Sequence, residues 1–157
     1  MAGAPPLSRA VAGHIAVGMR LTTLLTLLLA LSSAPALAAP VNTGHIQAEL
    51  VAQEAAVPGG TVYVALRQDI ARGWHTYWRN PGDSGAPTRI SWTLPAGWTA
   101  GEIVWPTPTR QPIGPLLNYG YAGKVLLPTP IQVPATARPG STVELKAAVT
   151  FLVCEDI

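Results

Sequence analysis

Thr88-Arg89-Ile90-Ser91-Trp92-Thr93-Leu94 alternates polar and apolar residues without a break. In an extended chain, side chains two residues apart share a face, so Ile90, Trp92 and Leu94 point one way and Arg89, Ser91 and Thr93 the other. That is the period of a half-buried β-strand, and the same texture runs outward in both directions. Gly60–Arg67 puts Val62, Val64 and Leu66 together. Shorter runs follow at Val125–Leu127, Ile131–Val133 and Val143–Ala147. Pro58-Gly59-Gly60, Pro81-Gly82-Asp83, Pro95-Ala96-Gly97 and Pro139-Gly140 punctuate them as turns. No stretch beyond residue 39 carries a capped, helix-spaced apolar stripe. Short strands recurring at about ten-residue intervals predict an all-β domain, an immunoglobulin-like β-sandwich, with an open barrel as the alternative.

The N-terminus has a different character. Met19-Arg20 precedes the apolar run Leu21–Leu31, and Ala36-Leu37-Ala38 follows as a small-residue cleavage motif. A basic start, a short apolar stretch and an A-x-A site in this order read as a secretory signal peptide. The apolar run falls short of the about 20 residues that span a bilayer, although an uncleaved anchor is the alternative. Residues 1–39 are therefore expected to be a leader, with Met19 a candidate start, and residues 40–157 a single domain of ordinary size. Arg9 and Arg20 leave with the leader, reducing ten Lys and Arg to eight against eight Asp and Glu. The remaining cations are scattered, which leaves no electrostatic footprint for nucleic acid.

Two stretches break the strand rhythm. From Trp105 to Tyr121 the chain carries Pro106, Pro108, Pro112 and Pro115, which excludes a central strand and predicts a long loop. Its apolar tip makes it a candidate lid. The second is Gly73-Trp74-His75-Thr76-Tyr77-Trp78-Arg79-Asn80-Pro81. As a strand, it puts Trp74, Thr76 and Trp78 on one face as a core anchor, and His75, Tyr77 and Arg79 on the other as a crevice lining. His75 alone reads as a structural histidine. A metal site from His45, His75 and Cys154 has no supporting spacing.

The single cysteine, Cys154, lies in Thr150-Phe151-Leu152-Val153-Cys154-Glu155-Asp156-Ile157. Alternation from Val149 predicts one strand, with Val149, Phe151 and Val153 on one face and Thr150, Leu152 and Cys154 on the other. An isolated thiol is ordinarily a small buried hydrophobe. At the mouth of a strand in an exported protein it is a candidate for thiol–disulfide exchange, although one cysteine cannot resolve its own mixed disulfide.

Residues 73–85, Trp105-Pro106, Tyr119-Gly120-Tyr121, Leu126-Leu127-Pro128 and Val153-Cys154-Glu155-Asp156 together resemble the N-terminal periplasmic domain of DsbD-type thiol:disulfide interchange proteins. The ScsB-like branch, associated with copper tolerance, is the one resembled, over essentially all of residues 44–157. The resemblance implies an immunoglobulin-like sandwich with a redox cysteine pair and no metal or organic cofactor. It also implies electron transfer from a membrane-embedded domain to thioredoxin-like periplasmic proteins. Cys154 matches the first redox cysteine. That branch spaces its cysteines by three residues, supplied here by Glu155, Asp156 and Ile157, so the second thiol is expected next and the sandwich is expected to lack its C-terminal strand or strands. His75 and Tyr77 fall where two tyrosines line the family's site; Tyr77 keeps the residue type and His75 does not. The family's cap loop corresponds to Ile113–Tyr119, with Leu116, Leu117, Asn118 and Tyr119 at its tip and no clear match to the family's aromatic.

The expected function is thus that of a periplasmic relay domain, a protein-disulfide reductase when a second cysteine is supplied and without turnover as this stretch alone. The competing expectation is an exported, non-catalytic β-sandwich that binds a partner through Trp105–Tyr121 and merely buries Cys154.

Overall fold

The strand period seen at Thr88–Leu94 governs the whole domain: in the computed structural model, the described residues form eleven strands and no helix. The structure describes residues 39–52 and 55–156, within a unit spanning Ala38–Ile157. The expected leader lies outside the described residues apart from Ala39. The strands are β1 (Val41–Asn42), β2 (Ile46–Ala52), β3 (Thr61–Ile70), β4 (Trp74–Gly82), β5 (Arg89–Thr93), β6 (Thr99–Ala100), β7 (Thr109–Ile113), β8 (Leu116–Tyr121), β9 (Lys124–Gln132), β10 (Lys146–Thr150) and β11 (Cys154–Glu155). They make three antiparallel sheets in the orders β1-β2-β3-β9-β6, β11-β4-β8-β7 and β10-β5. This is an immunoglobulin-like sandwich.

Alternation builds the core. On β3, Val62, Val64, Leu66 and Ile70 are buried, and the register with β9 sets Val62 opposite Ile131 and Leu66 opposite Leu127. Around Leu66 and Leu127 gather Ile46, Ala48, Ile70, Tyr121 and Val125, closed from the other side by Trp74, Trp78, Ile90, Trp105, Val149, Phe151 and Val153. Burying a side chain such as Leu127, which is fully enclosed, contributes about 1.5–3 kcal/mol. A second cluster forms on Val62, Val64, Ile131 and Val133, with Trp92, Leu94 and Trp98 packed on it. The faces read for Gly60–Arg67 and Thr88–Leu94 are those the structure buries.

Three strand expectations are corrected. The two runs around Pro128 fuse into β9, although prolines ordinarily exclude an interior strand. Both Pro128 and Pro130 turn the edge without an N–H away from β3, where only acceptors are needed. The carbonyl of Pro130 accepts from Gly101 N at 2.8 Å and that of Pro128 from Val104 N at 2.7 Å. Second, Trp105–Tyr121 is not one long loop. Its latter part is the β7–β8 hairpin, which turns at Gly114-Pro115 with Ile113 opposite Leu116. Pro112 is tolerated because β7 is the sheet edge. The preceding prolines are tied down where Tyr121 Oη donates to the Pro106 carbonyl at 2.8 Å. Third, Val149–Cys154 is not one strand. The chain leaves β10, which pairs with β5, and re-enters a different sheet as β11 against β4. Val149, Phe151 and Val153 still reach the core together.

Candidate functional site

β4 is covered on both sides. Trp74 and Trp78 pack against the core as half-buried side chains, and Trp74 stacks on His45 with ring centroids 3.6 Å apart and an 11° interplanar angle. The Arg79 guanidinium lies 5.1 Å over the Trp78 ring. Between the tryptophans, Thr76 is fully buried and donates to Gln68 Oε1 on β3 at 3.1 Å. The opposite face, expected to be the crevice side, is the more deeply enclosed: His75 is 0% and Tyr77 2% exposed.

The register of β11 brings the chemistry to that face. Cys154 stands directly opposite His75, and Glu155 opposite Trp74. Directly opposed residues carry their Cβ atoms about 4.5–5.5 Å apart on the same side of the sheet. Period-two alternation therefore groups His75 and Tyr77 of β4 with Cys154 and Asp156 on one face. Asp156 is fastened twice: its N–H donates to the Gly73 carbonyl at 2.8 Å, and its Oδ1 lies 2.6 Å from His75 Nδ1. Cys154 and Asp156 are the groups whose charges bear on the Tyr77 phenol. Its ring meets the His75 ring edge-on, with centroids 5.0 Å apart. Burial, first, and then the contact with Cys154 and the nearby charges of Cys154 and Asp156 hold the Tyr77 phenol far above its usual ionisation range. Tyr77 is therefore a hydrogen-bond donor at any physiological pH. The other ring nitrogen, His75 Nε2, is buried without a hydrogen-bond partner among the described residues. Leaving such a group unpaired costs about 1–3 kcal/mol.

A roof for the site comes from a stretch the sequence marked only as a turn. Pro81-Gly82-Asp83-Ser84-Gly85 folds back so that Gly85, at φ +95°, packs its backbone against the Tyr77 ring. Asn118, fully buried, pins this turn. Its Oδ1 accepts from Ser84 N at 2.9 Å and its Nδ2 donates to Ser84 Oγ at 2.9 Å. Asp83 adds two bonds to Leu117: its Oδ2 accepts from Leu117 N at 2.8 Å, and its own N–H donates to the Leu117 carbonyl at 3.2 Å.

The sequence-predicted residues therefore divide. His75, Tyr77, Cys154 and Asp156 converge. Glu155 is exposed and turned to the opposite face, beside Trp74. Leu116, Leu117, Asn118 and Tyr119 lie in β8 of the hairpin, with Leu116 exposed and Asn118 serving the 81–85 turn. The hydrogen bonds of Leu117 and Asn118 run to that turn, not to Cys154. Among the described residues no three of His, Cys, Asp and Glu gather as a metal site.

Cys154 itself is half-buried on a two-residue edge strand. Two clefts open elsewhere among the described residues: one of about 920 Å³ is lined by Trp92, Trp98 and Trp105, and an apolar one of about 610 Å³ by Leu50, Val149, Phe151 and Val153. A small-molecule enzyme places its reacting group in an enclosed pocket. A half-exposed thiol at a sheet edge suits a reactant carried on another macromolecule.

Residues 47–157 match the family model described as thiol:disulfide interchange protein DsbD, N-terminal. Among solved structures, the N-terminal periplasmic domain of ScsB from Proteus mirabilis is similar in fold, with a TM-score of 0.57 and 24% sequence identity. The match covers 75% of this chain and 45% of that one, so this chain spans under half the length of the ScsB domain. No curated protein matches the chain.

Proposed function

The chain belongs to the family of DsbD N-terminal domains, and from that premise we propose that it is an exported thiol–disulfide exchange domain whose attacking group is Cys154. The observation that carries this reading is that the register of β11 against β4 sets the half-buried Cys154 opposite His75, on the same face as the buried Tyr77, in a chain of this family. The thiolate is the attacking species in such an exchange. In the proposed relay the Cys154 thiolate attacks one sulfur of a partner disulfide. The partner's S–S bond breaks, its second sulfur departs with the electron pair, and a mixed disulfide remains. A second thiol, which the family pattern puts after Ile157, then attacks Cys154 Sγ and frees the reduced partner. The two electrons lost by the cysteine pair return from a membrane-embedded domain. The partners proposed are thioredoxin-like periplasmic proteins, and the exchange uses no cofactor.

Trapping tests this directly, because the chain holds a single cysteine and any adduct identifies it. The chain is mixed with a thioredoxin-like protein that keeps one active-site cysteine, capped by a small aromatic thiol. A one-to-one covalent adduct, dissolved by reductant and abolished by Cys154→Ser, is the expected result. A chain whose thiol reacts only after denaturation has a buried structural cysteine, and that result refutes the reading.

A further inference from the structure

We propose that the open edge of β5 is a second binding site, which takes up an extended peptide segment with acidic residues at alternate positions by strand addition. The inference goes beyond the exchange reading and does not rest on it. Among the described residues β5 is paired on one side alone, with β10. The cleft of about 920 Å³ runs along its other side, with Pro87 to Trp92 as one wall and Thr99 to Ile103 as another. That second wall is itself extended and is held to β9 through the Gly101 and Val104 amides. No residue of β10 lines this cleft. In an antiparallel pair every second residue turns its N–H and C=O away from the partner strand, so β5 presents a row of backbone donors and acceptors on this side. A strand laid along that row pairs with it as peptides do in β-augmentation.

The floor of the cleft is built for a polar visitor. Two hydroxyls that line it are enclosed without a hydrogen-bond partner among the described residues: Thr88 Oγ1, on a residue 3% exposed, and Thr129 Oγ1, on a fully buried one. Thr129 holds the sole polar place in the buried row of β9, which otherwise reads Val125, Leu127 and Ile131. The core divides at this point, since Leu127 belongs to one apolar cluster and Ile131 to the other. A buried hydroxyl left unpaired weakens the fold that holds it. Such a position is explained where an incoming group supplies the missing bond, and a hydroxyl can both donate and accept.

Charge and alternation then specify the occupant. The charged residues of the lining are the exposed Arg79, Arg89 and Glu102, and none of them makes an ion pair among the described residues. Two cations against one anion leave the cleft net positive. Along β5, Thr88, Ile90 and Trp92 are the enclosed row, and Arg89 and Ser91 the exposed one. An added strand follows the same alternation. Its outward residues can stand across from Arg89, where opposite charge is favoured, so acidic residues belong there. Its inward residues meet Trp92 and the two buried hydroxyls. Threonine suits those places, because it offers a methyl and a hydroxyl together and favours the strand conformation. The indoles of Trp92, Trp98 and Trp105 are packed on the core clusters, so they serve as walls for such a strand.

The probe is a blocked, fluorescently labelled peptide of about six residues, the usual length of a strand, in which glutamate alternates with threonine. It is titrated with the whole chain and read by fluorescence anisotropy. Saturable binding below about 1 mM is expected, weakening as salt is added. The same peptide with alternate amides N-methylated cannot complete the ladder and is expected to bind about tenfold more weakly or worse. Arg89→Ser, an exposed change, should weaken the parent peptide about two- to fivefold. Thr129→Val should weaken it as well while raising the urea midpoint of the free chain, a pairing that a merely structural hydroxyl does not produce. A parent peptide that fails to bind, an N-methylated one that binds equally, or indifference to Arg89→Ser overturns the proposal. So does a Thr129→Val chain that is less stable or unfolded, since its hydroxyl then serves the fold. Glutarate that displaces the probe as readily as unlabelled peptide marks a small-anion site instead, and a dimer dissolved by Ser91→Lys marks an edge taken by a second copy; either result also overturns it.

Discussion

Gly85→Ala is the substitution in which the roof of the site is tested most sharply. Gly85 sits at φ +95°, and an added Cβ would stand 2.5 Å from Tyr77 Cζ and nearer still to Cδ1 and Cε1. Two costs add. The backbone conformation disfavours any L-residue by about 1–2 kcal/mol. The overlap forces either the turn or the ring to move, at about 1–3 kcal/mol for an overpacked site. The ring does not yield cheaply, since it is 2% exposed and braced edge-on by His75. The expected loss is about 2–5 kcal/mol, a large share of the about 5–15 kcal/mol that holds a domain of this kind together. Gly140→Ala separates the terms: it has φ +74° with nothing within 4 Å of the added Cβ, so it bears the backbone cost alone. Urea unfolding of both variants measures the difference, and the rate of Cys154 with a small disulfide reports whether the surroundings of the cysteine have changed. Equal stability losses in the two variants, with Cys154 reactivity unchanged, would refute the packing argument.

Two further outcomes are expected. Asn118→Ala removes the partner of the part-buried Ser84 N–H and hydroxyl and should cost about 1 kcal/mol in the same unfolding measurement, with the 81–85 turn exchanging its amide hydrogens faster. The domain should also weaken in alkali. Burial pushes Tyr121 up to about 12 and holds Tyr77 higher still, whereas an unfolded tyrosine ionises near about pH 10. Folded values above the unfolded one mean that stability is complete below about pH 10 and is lost as pH rises through the folded values. Urea midpoints measured across that range should fall, and Tyr77→Phe should flatten the decline; a midpoint independent of alkaline pH would contradict the burial of both phenols.

Much of the fold was legible because strand period is a local property. Val62, Val64 and Leu66, and likewise Ile90, Trp92 and Leu94, announce their shared faces within a few residues. Prolines misled where their meaning depends on a neighbour. Pro128 and Pro130 fit inside β9 only because residues 101–104 approach with donors, and Pro112 fits β7 only because nothing pairs beyond it. The site was legible by halves. Alternation put His75 with Tyr77 and set Cys154 at the end of its own run, but the register that joins them is a long-range fact carried by no local pattern. The deep burial of His75 was equally hidden, since it comes from β11 and the roof above Tyr77. The turn residues Pro81-Gly82-Asp83 were visible as punctuation; that they would lead back over a tyrosine was not.

Among the described residues Cys154 lies in a two-residue strand paired with β4, the strand that also carries the buried His75 and Tyr77. Long open edges invite other chains to add on and aggregate, and very short ones discourage it. On the proposed exchange reading, a partner would meet this sulfur beside two side chains that the sandwich holds rigidly in its interior. Selectivity on that reading comes from side-chain fit around the sulfur, and the fit is set by how firmly β4 is packed.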